Sequence, residues 1–177
     1  YKLAKKEGIK PIIGVEAYMT AGSRKDRTAE AGGSKRYYHL TLLAKNLQGY
    51  KNLIRLVTLA NLEGYYYKPR IDREILKEYS EGVIALSGCL GGELSQAVMR
   101  GDGARADELV KEFKEMFGEN YFIEIQCHPS VENDKMVREA LIALSRKHDV
   151  KLVATQDSHY PCTDDHEAHH TLLQINT

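Results

Sequence analysis

Three short stretches deliver metal-ligating residue types, each directly behind a run of strand-forming residues. Residues 83–87 lead into Gly88-Cys89-Leu90-Gly91-Gly92-Glu93, residues 121–126 into Cys127 and His128, and residues 151–155 toward Asp157 and His159. In parallel α/β folds the loops after the C-terminal strand ends carry the chemistry. Thiolate, imidazole and carboxylate are the donors that bind zinc and related ions. In Asp157-Ser158-His159 the two outer side chains share one side of an extended segment, so they can reach one ion or a bridged pair. An isolated Asp-x-His is more often a capped turn beside an exposed histidine. It is the repetition of ligand types at three strand ends that points to a metal.

Other polar residues divide less sharply. Glu16 sits inside the apolar run Ile12-Ile13-Gly14-Val15-Glu16-Ala17-Tyr18, where a buried carboxylate needs a metal or an arginine as partner. Cys89 reads equally as a small buried hydrophobe, and its glycine flanks suit a ligand or a phosphate-binding turn. On residue type alone His39 is as well read as a satisfied core histidine. His166, His169 and His170 stand at i, i+3 and i+4 among polar neighbours, which describes a solvated helix face. His148 suits the negative end of a helix. The run Tyr65-Tyr66-Tyr67-Lys68-Pro69-Arg70 could stack nucleobases, although packing against a barrel wall is the commoner use of such rings.

The elements that must position these residues alternate along the chain. A helix end over 1–7 is closed by Gly8 in a left-handed cap, and Pro11 precedes a strand over 12–19. Residues 21–36 lack large apolar groups and are expected to form a mobile, solvated loop. There Arg24, Lys25, Arg27, Lys35 and Arg36 outnumber Asp26 and Glu30. A strand over 37–44 leads to a helix over 48–62 with Tyr50, Leu53, Ile54, Val57 and Ala60 on one stripe. Asp72 caps a short helix, and a strand over 83–87 precedes a helical segment over 92–117 broken at Gly101 and Gly103. A strand over 121–127 is followed by a helix over 132–147 with Met136, Val137, Ala140, Leu141 and Leu144 inward. The last strand covers 151–155, and Thr163 is expected to cap a final helix. Five strands alternating with helices predict parallel pairing, as an open doubly wound sheet or part of a β/α barrel.

Composition sets the bounds. The 177 residues fit one domain with a real core, and 42% hydrophobic with 28% charged residues is ordinary for a globular protein. Twenty-five basic residues balance 25 acidic ones, so this chain is not expected to be a main DNA-gripping surface. No run reaches the length of a membrane span, and no signal peptide opens the chain. Three scattered cysteines argue for a reducing compartment, here the cytoplasm. The start at Tyr1 inside a helix and the uncapped end at Thr177 predict an internal piece of a longer protein.

The phrases IKPIIGVEAY at 9–18, YYHLTLLAKN at 37–46, YYYKPRID at 65–72, IALSGCLGGEL at 84–94, VATQDSHY at 153–160 and HEAHHTLLQINT at 166–177 occur in that order. With them the chain resembles the PHP (polymerase and histidinol phosphatase) domains of bacterial DNA polymerase III alpha subunits, the replicative C-family polymerases. The resemblance implies a distorted seven-stranded β/α barrel with a metal cluster in its mouth. About five of those strands would be present here. Residues 1–165 would be the PHP part, and 166–177 the start of the connection to the polymerase palm. It maps metal ligands onto Glu16, His39, Cys89, Asp157 and His159, with no catalytic residue certain beyond them. His128 is placed behind the ligands at most, since Cys127 departs from the family phrase.

The family's N-terminal His-x-His, Asp and further His are not in this sequence, so the chain alone is expected to bind metal weakly and to be inactive. The implied cofactors are divalent ions (zinc, manganese or magnesium), and the implied partners are DNA, the sliding clamp and the proofreading subunit. Some members are metal-dependent 3′→5′ exonucleases or phosphoesterases. In others the domain is structural or partner-binding, with a vestigial site. A free-standing PHP phosphatase is a third reading, against which the phrases at 65–72 and 166–177 count.

Overall fold

The computed structural model describes residues 1–28 and 37–175; the distal part of the basic stretch, with Glu30, Lys35 and Arg36, lies outside the described residues. Helix α1 (Lys2–Lys6) ends at Glu7, and Gly8 takes the left-handed conformation at φ 73°. Strands β1 (Gly14–Met19) and β2 (Tyr38–Ala44) follow. Helix α2 (Leu47–Leu62) is capped by the Asn46 side chain, which accepts from the Gly49 amide at 2.9 Å. Strands β3 (Tyr65–Tyr66) and β4 (Lys68–Ile71) form a hairpin turning at Tyr67, and Asp72 caps α3 (Arg73–Glu78) through the Ile75 amide. The remainder runs β5 (Val83–Leu86), α4 (Glu93–Met99), α5 (Gly103–Phe117), β6 (Tyr121–Ile125), α6 (Asp134–His148), β7 (Lys151–Ala154) and α7 (His166–Ile175).

The strands lie in the order β3-β4-β1-β2-β5-β6-β7, and the sheet stays open with β3 and β7 at its edges. This is a mixed α/β architecture consistent with part of a β/α barrel. The expectation of parallel pairing throughout needs correction. β1–β2 and β2–β5 are antiparallel, whereas β1–β4, β5–β6 and β6–β7 are parallel. Parallel neighbours need a crossover, usually a helix; α4 and α5 supply it between β5 and β6, and α6 between β6 and β7.

Alternation along each strand separates two faces. Ala17, Met19, Leu40, Leu42, Ala85, Tyr121 and Ile123 turn one way and pack against Leu53 and Leu56 of α2, Leu94 of α4, Leu109 and Phe113 of α5, and Val137 and Leu141 of α6. Each such large side chain contributes about 1.5–3 kcal/mol by leaving water. Strand register places Glu16, His39, Thr41 and Glu124 at the alternate positions, on the reverse face.

Three local expectations are revised. The buried face of α2 is Gly49, Asn52, Leu53, Leu56 and Ala60, while Tyr50, Ile54 and Val57 are exposed. The helix is rolled toward the β5 lead-in, because a Cβ on Gly49 would come within 1.7 Å of the Gly82 carbonyl oxygen and Asn52 Nδ2 donates to the Glu81 carbonyl at 2.8 Å. On α6, Val137 and Leu141 are buried but Met136 is exposed. Thr163 opens a short 3-10 turn (Thr163–Asp165) ahead of α7 and makes no side-chain cap.

Residues 21–23 and 25–28 are exposed outside helix and strand, but Arg24 differs from a solvated loop residue. Arg24 is buried, its guanidinium paired with Glu63 at 2.6 Å, Glu74 at 3.0 Å and Asp72 at 3.1 Å. Arg70 beneath it donates to the carbonyls of Arg24 and Asp26 at 2.9 and 2.6 Å.

Candidate functional site

The polar face of the sheet is built from neighbouring strands. In the β1–β2 register Glu16 lies opposite Thr41 and Tyr18 opposite His39. His39 Nδ1 donates to Glu16 Oε1 at 2.8 Å, and Cys89 Sγ lies 3.4 Å from the same nitrogen. Rings of Tyr18 and Tyr37 pack beside the imidazole, with centroids 5.5 and 6.4 Å from it and 4.7 Å from each other.

The glycines beside Cys89 have a packing reason. The His39 amide donates to the Gly91 carbonyl at 3.1 Å, so residues 88–92 run directly along β2. A Cβ on Gly88 would meet the His39 carbonyl oxygen at 2.5 Å, and its φ of +84° is strained for any L side chain. A Cβ on Gly91 would press on His39 Nδ1 at 3.0 Å. Glycine thus lets the Cys89 turn close onto the histidine, and the Gly91 amide donates to Cys89 Sγ at 3.3 Å. This use of the glycines accounts for them without a phosphate.

Electrostatics at the sulfur follow from this packing. Burial is the largest cause pushing the Cys89 thiol above its ordinary range, and the charges of Asp157, Glu16 and Glu124 add to it against the Gly91 amide. A pocket that gathers carboxylates around a thiol disfavours further negative charge and favours a cation.

Asp157 sits beyond the end of β7 with a left-handed φ of 50°. His159 Nδ1 lies 2.7 Å from the Asp157 carbonyl oxygen. A carbonyl can only accept, so Nδ1 carries the proton and a neutral ring keeps the Nε2 lone pair free. Asp157 acts on Cys89 through its charge, and no hydrogen bond among the described residues joins Asp157 or His159 to Glu16, His39 or Cys89. His159 instead faces His169 of α7, centroid to centroid 5.6 Å. His128 takes no part in these contacts; its carbonyl accepts from the Val131 amide. His166 and His170 stack at 6.4 Å on a helix with no buried residue among those described. Among the described residues no group of three or more His, Cys, Asp or Glu stands in metal-holding geometry.

One residue on this face escaped the sequence reading. Glu124 of β6 is only 5% exposed, and its carboxylate points toward the Cys89 turn. Its one signal was an acidic residue in the middle of an otherwise apolar strand, the same signal that singled out Glu16.

The PHP domain family matches residues 1–128 of the chain. DNA polymerase III subunit alpha of Thermus aquaticus is 48% identical over 177 residues, covering 100% of this chain and 14% of that protein. The same-named proteins of Aquifex aeolicus and Deinococcus radiodurans are 46% and 48% identical over 99% and 100% of the chain, and 15% and 13% of their own lengths. The chain therefore spans about one seventh of the curated relatives it matches.

Proposed function

Because the chain belongs to the PHP domain family, we propose that it is the PHP region of a bacterial DNA polymerase III alpha subunit and that Glu16, His39, Cys89, Asp157 and His159 hold divalent metal there. The observation that carries this reading is the contact of the His39 imidazole with both the Glu16 carboxylate and the Cys89 thiol on the polar sheet face. The donor set fits a metal chemically, since the sulfur favours zinc and the carboxylates suit manganese or magnesium as well. When bound, the metal supplies Lewis acidity and an activated water for phosphodiester hydrolysis.

The chain's own residues then have distinct tasks. Glu16 and Asp157 bring negative charge that offsets the cation. The Asp157 carbonyl holds the His159 proton on Nδ1, which orients the ring and leaves Nε2 to donate. Tyr18 and Tyr37, in edge contact with each other, pack together beside the His39 ring and restrict it. In this reading residues 1–165 are the PHP part and 166–177 lead to the polymerase palm. The whole protein is a cytoplasmic DNA-directed DNA polymerase working on DNA with a sliding clamp and a proofreading subunit. Among the described residues no helix is long and apolar enough to cross a membrane.

Asp157→Asn in the full-length subunit tests the hydrolytic reading. Asn keeps the size but removes the charge that offsets the cation. The 3′→5′ hydrolysis of a single-stranded DNA is expected to fall by orders of magnitude while primer extension changes less than about threefold. Equal loss of both activities in a folded variant, or no metal-dependent hydrolysis in the parent, would favour a structural module with a vestigial site.

A further inference from the structure

Glu124 carries no part in the ligand set, yet it touches the ends of β5 and β7 and the middle of β2, which present it. Its Oε2 accepts from the Gly88 amide at 3.2 Å and from Thr41 Oγ1 at 3.4 Å. Its Oε1 accepts from Thr155 Oγ1 at 2.5 Å and from Gln126 Nε2 at 3.4 Å. Gly88 immediately precedes Cys89, Thr155 stands two residues before Asp157, and Thr41 stands two after His39 and opposite Glu16. The Glu124 backbone amide adds a bond to Ser87 Oγ at 2.9 Å, on the same turn. A carboxylate this deeply buried is costly without partners. Here every partner is a neutral donor, and among the described residues no lysine or arginine pairs with it.

We infer that Glu124 is a positioning residue of the metal site: one buried carboxylate fixes the Cys89 turn, the β7 end before Asp157 and the β2 segment beside Glu16 relative to one another. The inference rests on the metal reading above. All four donors already occupy its oxygens, so Glu124 acts through the ligands and does not itself bind. Hydrogen bonds behind metal ligands set ligand geometry, and their loss typically costs 10–100-fold in metal affinity. The role depends on acceptor positions more than on charge. In Gln, the remaining oxygen can accept from Gly88 and Thr41, while its NH₂ donates to Thr155, whose hydroxyl can rotate to accept.

Cobalt(II) titration of the intact subunit, followed by the thiolate-to-cobalt charge-transfer band, tests this. Cys89→Ser identifies the band. Glu124→Ala is expected to weaken cobalt binding 10–100-fold and to diminish the band, and Glu124→Gln to stay within about threefold of the parent. In the Cys89→Ser background, Glu124→Ala should have a markedly smaller effect, as expected of residues acting as one unit. Should the Ala variant not fold, Glu124→Asp, one methylene too short to span both sides, gives the same reading. An unchanged band and affinity in Glu124→Ala or Glu124→Asp would overturn the positioning role alone. Loss in Glu124→Gln equal to that in Ala would also overturn it, in favour of a pure charge effect. A parent subunit that binds no cobalt through Cys89 would overturn the metal reading with it.

Discussion

At the scale of single residues, the most consequential side chain away from the candidate site is Arg24. Burial alone would disfavour its charge, and hydrogen bonds and charge from Glu63, Asp72 and Glu74 outweigh that, so the guanidinium stays charged. Asp72 is itself buried and does two jobs, accepting from the Arg24 amide at 2.8 Å while capping α3. Removing one partner of a buried ion pair strands the other, which typically costs about 3–5 kcal/mol. Arg24→Ala is therefore expected to lower unfolding free energy by about that amount in urea titrations, and Arg24→Lys by less, because the ammonium keeps a charge beside Asp72 although it cannot fork to three carboxylates. A loss under about 0.5 kcal/mol for the Ala variant, the size of an ordinary surface change, would contradict the network. In the sequence Arg24 stands among loop charges, since its partners lie 39 to 50 positions away and leave no local trace. His39 was similarly ambiguous by type and becomes specific only through Glu16 across the β1–β2 pair.

At the scale of elements, periodicity located most helices and strands, and long-range contacts decided the rest. The break at Gly101 and Gly103 and the Asp72 cap stand where the residues indicated. The β3–β4 hairpin was hidden because its strands hold two and four residues around a proline. The phase of α2 was hidden because the close approach of Gly49 to Gly82 outranks the apolar stripe. Helices α5 and α6 are tied at their outer surface by Asp107, which accepts from Lys147 and His148 at 2.6 Å each. Lys147 first and His148 second hold the Asp107 carboxyl down from 3.8 to about 2. A carboxyl depressed on folding contributes stability that is present above its ordinary value and lost as pH falls through the depressed one. The melting difference between the parent and Asp107→Asn should thus be constant from pH 6 to about 4 and shrink between about 4 and 2. A difference independent of pH over that window would show that the pair does not bind α5 to α6 electrostatically.

At the scale of the whole molecule, an open mixed sheet packs α2, α4, α5 and α6 on one face and leaves acidic, imidazole and thiol groups on the other. That division was legible in outline, because ligand types recurred at strand ends. The antiparallel β1–β2–β5 core was not, since an alternation of strands and helices says nothing of which strands become neighbours. The same antiparallel pairing is what sets Glu16 beside His39 and the Cys89 turn against His39. X-ray absorption at the zinc edge of the intact, zinc-loaded subunit tests the proposed metal centre most directly. It should show one sulfur at about 2.3 Å among nitrogen and oxygen neighbours at about 2.0–2.2 Å, with the sulfur lost in Cys89→Ser. A shell of nitrogen and oxygen alone, or a sulfur that persists in Cys89→Ser, would contradict a metal held by Cys89 with Glu16 and His39.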